Sequence, residues 1–279
     1  MNKIFRASRF LRDIYANIRN HSNAPSHITY EGIYNSFAEA QSKLYTQTGY
    51  LTEEYMEGEA KKVSDIVNSE INQYEGNYRE RDLLLLLSGM RVLEIKILDV
   101  GSGFGLTYHY LRSNLNKTFS YTALDLPKVI SIATEIFSQN SNFDSTTLEN
   151  LEDNKYDLVN FGSSLQYFED YRQTLNKILA NNPSTIFISD TPVGKVETFV
   201  TLQVNMKDRN IPRWVFSFSE INQIFKDHDY ELVSQTVVDW HCDIHNFLNF
   251  PNEYHHIQHM NLIFEKLHTK VPGSQTIQN

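Results

Sequence analysis

The feature that most constrains the fold is a short buried strand that runs directly into a glycine-rich turn. The apolar run 97–100, interrupted by Asp99, is followed by Gly101, Gly103 and Gly105. A strand, a turn without side chains and a helix bring backbone N–H groups and a helix N-terminus up to a ligand. This order predicts a nucleoside-binding turn at the edge of an α/β sheet.

The segments after the turn alternate between strands and helices. Strands and helices are predicted in turn over 121–124, 128–139, 156–161, 171–180 and 185–189. Such alternation is typical of parallel sheets. Two later strands, 231–238 and 261–267, have no apolar-period helix between them, so we expect the last strand to be antiparallel. The predicted fold class is α/β, Rossmann-like and doubly wound, with a mostly parallel seven-stranded sheet.

The chain divides at the start of this series. Residues 1–90 are predicted to form an N-terminal helical cap, residues 91–270 the ligand-binding domain and residues 271–279 a flexible tail. The basic amphipathic pattern of residues 1–20 leaves three contacts open: the chain's own domain, a second subunit of a homodimer, or acidic lipid. The longest aliphatic run, 83–87, is far shorter than the ~20 residues of a transmembrane helix, so no membrane span is predicted.

Charge and cysteine content narrow the partners and the location. The formal net charge is −9, and the acidic residues are spread along the chain, so nucleic acid is not an expected partner. The single cysteine, Cys242, cannot form an internal disulfide. This usage suits a reducing compartment, and we predict a cytoplasmic protein.

The type of nucleoside follows from the spacing of the turn. Asp125 ends the next predicted strand, where a carboxylate can accept hydrogen bonds from both ribose hydroxyls. A dinucleotide fingerprint needs a third glycine at position 106, which is Leu106 here. The pattern therefore favours a ligand without a pyrophosphate. S-adenosylmethionine is such a ligand, and its sulfonium and amino-acid tail suit a carboxylate such as Asp99 near the turn.

Three segments resemble the first signature blocks of class I S-adenosylmethionine methyltransferases: ILDVGSGFGLTYHYL at 97–111, YTALDLPKV at 121–129 and YDLVNFGSSLQYFED at 156–170. Together with Ser164 to Tyr167, Thr191-Pro192 and Trp214 to Ser217, they resemble more narrowly a methyltransferase family encoded in bacterial surface-polysaccharide (O-antigen and capsule) loci. The resemblance implies that 91–270 is the cofactor-binding methyltransferase domain. It also implies methyl transfer to an oxygen of a sugar or sugar-linked group during glycan assembly.

The same resemblance implies the residues that contact S-adenosylmethionine. They are Asp99, Gly101, Ser102, Gly103, Gly105, Tyr108, Asp125, Leu126, Gly162 and Ser163. The family usually has Glu where this chain has Asp125, and it tends to have Arg where this chain has Asp190. The adenine contact should lie in the acidic run 149–153, unless that run is a solvated loop.

Acceptor contacts are expected from the segments after the strands, because ligands of open α/β sheets bind outside the carboxyl ends of the strands. This rule points to a small-molecule or glycan acceptor near Gln166, Tyr167, Asp190 and Thr191. A hydroxyl acceptor reacts about 10²–10⁴-fold faster when a positioned base takes its proton. The histidine-rich segment 239–259 supplies the candidate bases His241 and His245, with Tyr254 and His255 as reserves.

The same residues leave three alternative functions to consider. The pairs His241/His245 and His255/His259 have helical metal-ligand spacing, but Pro251 interrupts the segment, so no metal site is predicted. A nicotinamide-dependent oxidoreductase is disfavoured by Leu106 and by the antiparallel last strand. A non-catalytic protein that kept the fold remains the third alternative.

Overall fold

A computed structural model describes residues 29–43, 53–69, 74–206, 209–238, 247 and 249–267. The predicted basic helix over 1–20, the tail over 271–279 and the candidate bases His241 and His245 lie outside these residues. Within the described part of the chain, no helix is both long and apolar enough to cross a bilayer.

The described elements are ten strands, seven α-helices and short 3-10 turns. The strands are β1 (Tyr30–Tyr34), β2 (Glu94–Val100), β3 (Thr118–Leu124), β4 (Phe143–Thr146), β5 (Leu158–Gly162), β6 (Thr185–Gly194), β7 (Phe199–Met206), β8 (Arg209–Ser217), β9 (Tyr230–Val237) and β10 (Gln258–Lys266). The helices are α1 (Phe37–Gln41), α2 (Glu53–Val67), α3 (Tyr78–Gly89), α4 (Leu106–Asn114), α5 (Pro127–Ile136), α6 (Tyr171–Leu179) and α7 (Phe218–Lys226).

Seven strands form the main sheet, in the order β4-β3-β2-β5-β6-β10-β9. Neighbours from β4 to β6 are parallel, whereas β10 is antiparallel to both β6 and β9. The predicted Rossmann-like, mostly parallel sheet with an antiparallel last strand is therefore confirmed. Because β2 lies between β3 and β5, the strand order reverses at β2 and opens a crevice beyond its carboxyl end.

A second, antiparallel sheet of β1, β7 and β8 joins the main sheet through β8. The connection is a short parallel pairing of Val193 with Phe216 and of Gly194 with Ser217 at the far end of β6. The sequence pattern did not predict these three strands, and β1 lies within the predicted helical cap over residues 1–90. The pairing of β1 with β7 ties the N-terminal region to the carboxyl edge of the main sheet.

Local signals start several helices. Asn77 and Glu80 form a capping box at α3, in which each side chain accepts a hydrogen bond from the other residue's backbone N–H. Pro127 occupies the first turn of α5, and Asp170 caps α6 by accepting from the N–H of Gln173. These caps set where the helices start after the sheet's carboxyl edge.

Apolar side chains cover both faces of the main sheet. One cluster contains α6 and α7 residues such as Leu175 and Phe225, and the other contains α3 and α4 residues such as Leu83 and Leu111. The two packed layers hold the strand ends rigidly, since close-packed cores resist displacement. Side chains at the carboxyl edge therefore have defined positions.

Candidate active site

The glycine-rich turn follows β2 and has three residues in the left-handed region of backbone space. The φ angles of Gly101, Gly103 and Gly105 are 73°, 57° and 85°. A Cβ at Gly101 would lie 2.4 Å from Cβ of Ser164, and one at Gly105 would lie 2.5 Å from Cε2 of Phe137. A Cβ at Gly103 would meet nothing within 4 Å. Two of the glycines are therefore required by packing, whereas Gly103 borders open space.

Asp125 lies directly after β3 and faces this turn. Its Oδ2 accepts a hydrogen bond from the Gly103 N–H at 2.8 Å, and its Oδ1 accepts one from the Leu126 N–H at 2.7 Å. Burial raises the pKa of this carboxyl, and the two backbone donors oppose the rise. Each carboxylate oxygen can accept about two hydrogen bonds. One acceptor position per oxygen therefore remains, which matches the two hydroxyls of a ribose.

The Asp99 side chain is buried and forms hydrogen bonds within the protein. Its carboxylate accepts hydrogen bonds from the Tyr121 hydroxyl on β3 and from the Asn160 amide on β5, the latter at 2.6 Å. Burial raises the pKa of Asp99 to about 6. The side chain of Asp99 therefore joins three neighbouring strands beneath the turn, and its contact with the cofactor stays a prediction.

Tyr108 also has an internal role. It is fully buried on α4, and its ring lies edge-on to Phe137 at 4.9 Å between centroids. Its hydroxyl donates to Oδ1 of Asn142 at 2.6 Å. The cofactor contact predicted for Tyr108 is not supported by this position, because the side chain points into the core. The same core contains Phe137, the ring that excludes a side chain at Gly105.

Five predicted residues lie at the carboxyl end of β5 and the adjoining part of β6: Gly162, Ser163, Gln166, Thr191 and Asp190. Ser163 has a φ of 60° and donates its N–H to the Ser189 carbonyl at 3.0 Å. The Gln166 amide donates to the Ser163 carbonyl at 2.9 Å and accepts from the Thr191 hydroxyl at 3.0 Å. Gln166 and Thr191 are buried, so they brace this edge, while the half-buried Ser163 and Gly162 border the crevice.

Asp190 is the fifth of these residues, and it forms a buried pair with His259 at the start of β10. Nδ1 of His259 lies 2.7 Å from Oδ1 of Asp190, and Nη1 of Arg79 lies 3.4 Å from Oδ2. On the other side of the imidazole, Nε2 lies 3.1 Å from the Tyr30 hydroxyl. That hydroxyl accepts a hydrogen bond from Nη1 of Arg213 at 2.9 Å.

Tyr167 extends the network toward the crevice. Its hydroxyl donates to Oε1 of Gln203 at 2.9 Å, and its ring lies under the Arg213 guanidinium at 5.3 Å from the ring centroid. Tyr167 is half-buried, unlike Tyr30 and Arg213, which are buried. The predicted acceptor contact thus lies at the exposed end of a buried polar chain.

His259 was not among the bases selected from the sequence, although it belongs to the histidine-rich segment. The sequence feature that could have identified His259 was the antiparallel last strand, because the first residues of that strand must lie beside the end of β6. In the structure His259 pairs with Pro192, two residues after Asp190.

The reserve candidates Tyr254 and His255 lie elsewhere. Tyr254 packs edge-on against Phe199 at 5.2 Å, and Nε2 of His255 lies 2.8 Å from the Phe250 carbonyl. Tyr254 packs against the apolar cluster that contains Phe199 and Phe250, and we do not retain Tyr254 or His255 as a base. Among the described residues, no group of three or more His, Cys, Asp or Glu side chains is arranged to hold a metal ion.

Two further segments border the site. The acidic run 149–153 has exposed carboxylates at Glu149, Glu152 and Asp153, in keeping with a solvated loop. Helix α3 covers the other side, where Arg79 contacts Asp190 and Asp82 accepts from the Asn261 amide at 2.9 Å.

The strand order, the open glycine turn and the acceptor capacity of Asp125 define a Rossmann-like enzyme with a nucleoside-ligand site. Residues 72–235, more than half of the chain, match the family described as Methyltransferase domain. The chain belongs to this family, and the prediction of a methyltransferase that uses S-adenosylmethionine is confirmed.

Solved structures that are similar to this chain share little sequence identity with it. A chain of the complex between the Haloferax volcanii Trm112 methyltransferase activator and a methyltransferase is 16% identical, with a TM-score of 0.50 over 77% of this chain and 96% of that one. The Burkholderia thailandensis 1,6-didemethyltoxoflavin-N1-methyltransferase is 13% identical, with a TM-score of 0.48 over 80% and 94%. At such identity, the Haloferax likeness shows the fold alone. No curated protein matches the sequence significantly.

Proposed function

We propose that this methyltransferase acts on an oxygen of a sugar or sugar-linked group during surface-glycan assembly in the cytoplasm. The observation that carries the cofactor half of the proposal is the pairing of Gly103, which borders open space, with Asp125, which has spare acceptor positions. When bound, S-adenosylmethionine supplies a methyl group on a sulfonium and is left as a neutral thioether.

The residues that would hold the cofactor surround this cradle. Backbone groups of the turn, with Ser102, would face the methionine part, and Asp125 would accept from the ribose hydroxyls. Leu126 is 48% exposed and offers an apolar surface for the adenine ring. Gly162 and Ser163 close the crevice from β5.

Oxygen is the favoured acceptor atom for a reason carried by the sequence. The segment after β5 is Gly162-Ser163-Ser164, rather than the Asn- or Asp-Pro-Pro-Tyr run that resemblance associates with amino-group methylation. The acceptor would lie between Ser163, Tyr167 and α3. Covering that space by α3 would exclude water and orient the acceptor.

The cofactor half is tested by isothermal titration with S-adenosylhomocysteine. We expect binding to the parent protein and, because hydrogen bonds to a carboxylate are worth about 1.5–3 kcal/mol each, at least about tenfold weaker binding to Asp125→Ala. Asp227 is an exposed carboxylate after α7, so Asp227→Ala is the matched control and should bind S-adenosylhomocysteine as the parent does. Equal affinity of the parent and Asp125→Ala, or tight binding of NADH in a fluorescence titration, would refute this half.

The acceptor half is tested with methyl-labelled S-adenosylmethionine and three probes: UDP-glucose, UDP-galactose and UDP-N-acetylglucosamine. We expect label in at least one sugar, with the methyl group located on a hydroxyl oxygen of the sugar by tandem mass spectrometry. A protein that binds S-adenosylhomocysteine but labels none of the three contradicts the proposed acceptor and supports a different acceptor or a non-catalytic protein.

A further inference from the structure

Four strands that are distant in the chain contribute one buried hydrogen-bonded series of side chains at the acceptor edge. Arg213 on β8 donates a hydrogen bond to the Tyr30 hydroxyl on β1, and this hydroxyl is hydrogen-bonded to Nε2 of His259 on β10. Nδ1 of His259 is hydrogen-bonded to Asp190, which lies on β6 just beyond the residues that pair with β5. The exposed fraction of each of these residues is 4% or less. Buried series of this kind are strong only when donors and acceptors alternate.

The donors and acceptors in this series run in one direction. A carboxylate at Asp190 accepts from Nδ1–H of His259, which leaves a lone pair on Nε2. The Tyr30 hydroxyl can then donate to Nε2 while its oxygen accepts from Arg213. Burial raises the pKa of Tyr30 to about 12, so the phenol stays neutral and can both give and take a proton.

The series also reaches the cofactor crevice. The Asp190 carbonyl accepts from the Ser163 hydroxyl and from the Gln166 amide, each at 3.4 Å. Ser163 directly follows β5, and its neighbour Ser164 is the side chain closest to a Cβ at Gly101. An acceptor beside Ser163 and Tyr167 is therefore next to both the cofactor turn and the buried series.

We propose that Tyr30 is a catalytic residue that relays the proton of the acceptor hydroxyl to His259, and that Asp190 and Arg213 position the relay. This inference rests on the proposed O-methyl transfer. As the acceptor oxygen gains the methyl group, its O–H bond breaks and the proton goes to the Tyr30 oxygen. The Tyr30 proton goes to Nε2 of His259, and the resulting imidazolium lies beside the Asp190 carboxylate. Solvent then removes that proton.

The test compares Tyr30→Phe and His259→Gln with Tyr34→Phe and His228→Gln. Tyr34 is a second tyrosine of β1. His228 lies just before β9, at the amino end of that strand and away from Asp190. We expect kcat to fall about 10²-fold in Tyr30→Phe and His259→Gln, with the KM for the labelled sugar and the Kd for S-adenosylhomocysteine within about twofold of the parent. Both controls should match the parent. Thermal unfolding in the presence of S-adenosylhomocysteine checks that each variant is folded. Tyr30→Phe is the mildest change of the four, because it removes only the hydroxyl oxygen.

The pH profile separates a relay from a structural role. In the parent, kcat should rise with pH as His259 loses its proton, because only the neutral imidazole can accept; this limb should disappear in His259→Gln. The titratable and charged groups that face this site are Asp190, Tyr30, Arg213 and, on α3, Tyr78, Arg79 and Asp82. Parent-like kcat in a folded Tyr30→Phe variant overturns the relay while the proposed function stands. A parent that binds S-adenosylhomocysteine but labels no sugar overturns the proposed acceptor, and the relay with it.

Discussion

Replacement of Gly103 by alanine tests whether the open space at the turn belongs to the cofactor. The new Cβ meets no protein atom within 4 Å, so folding bears only the cost of a left-handed alanine, about 1 kcal/mol. If the cofactor occupies that space, the methyl group enters its volume, and overpacking of about 1–3 kcal/mol weakens binding about 5- to 150-fold. Isothermal titration with S-adenosylhomocysteine and chemical denaturation measure the two effects separately.

Two other glycines calibrate this prediction. Gly105→Ala places its Cβ 2.5 Å from the buried Phe137 ring, so we expect a loss of about 2–4 kcal/mol in unfolding free energy. Gly89→Ala, at the end of α3 with no atom near its Cβ, should leave affinity unchanged and raise stability by up to about 1 kcal/mol. Parent-like affinity in Gly103→Ala would show that the cofactor does not use this space.

Two further predictions concern stability. Burial raises the pKa of Asp99 to about 6, so the native state keeps a proton that the unfolded chain loses between about pH 4 and pH 6, and parent stability should fall by about 3 kcal/mol as pH rises through that window. Asp99→Asn should abolish this fall in thermal unfolding across pH 4 to 8, because an amide does not titrate; an unchanged pH dependence would exclude Asp99 as its source. Asn77→Ala removes the cap of α3 and should cost about 1 kcal/mol by chemical denaturation, and a loss below about 0.3 kcal/mol would contradict the capping role.

Local order in the sequence was sufficient for the nucleoside site. A turn that needs left-handed residues, a preceding apolar strand and a carboxylate after the next strand are all read within short windows. Gly103 and Asp125 were predicted in this way, and the structure joins them by a hydrogen bond of 2.8 Å. The residue types alone did not show which side chains near the turn point into the core. Asp99 and Tyr108 were therefore predicted to contact the cofactor, although both side chains are buried.

The acceptor edge was not predictable in the same way. Tyr30 and His259 are 229 residues apart in the sequence, and each is an ordinary strand residue when read locally. Their contact depends on β1 pairing with β7, on β8 joining the end of β6 and on β10 running antiparallel beside it. No periodicity within one segment encodes such a combination.

By itself, the sequence determined the α/β class, the glycine turn and the carboxylate opposite it, because backbone sterics and strand-helix periodicity act over a few residues. Only the tertiary structure decided which histidine meets Asp190 and where the N-terminal strand lies. Those contacts arise from the pairing of distant strands, whose register is set by the burial of whole sheet faces rather than by neighbouring residues.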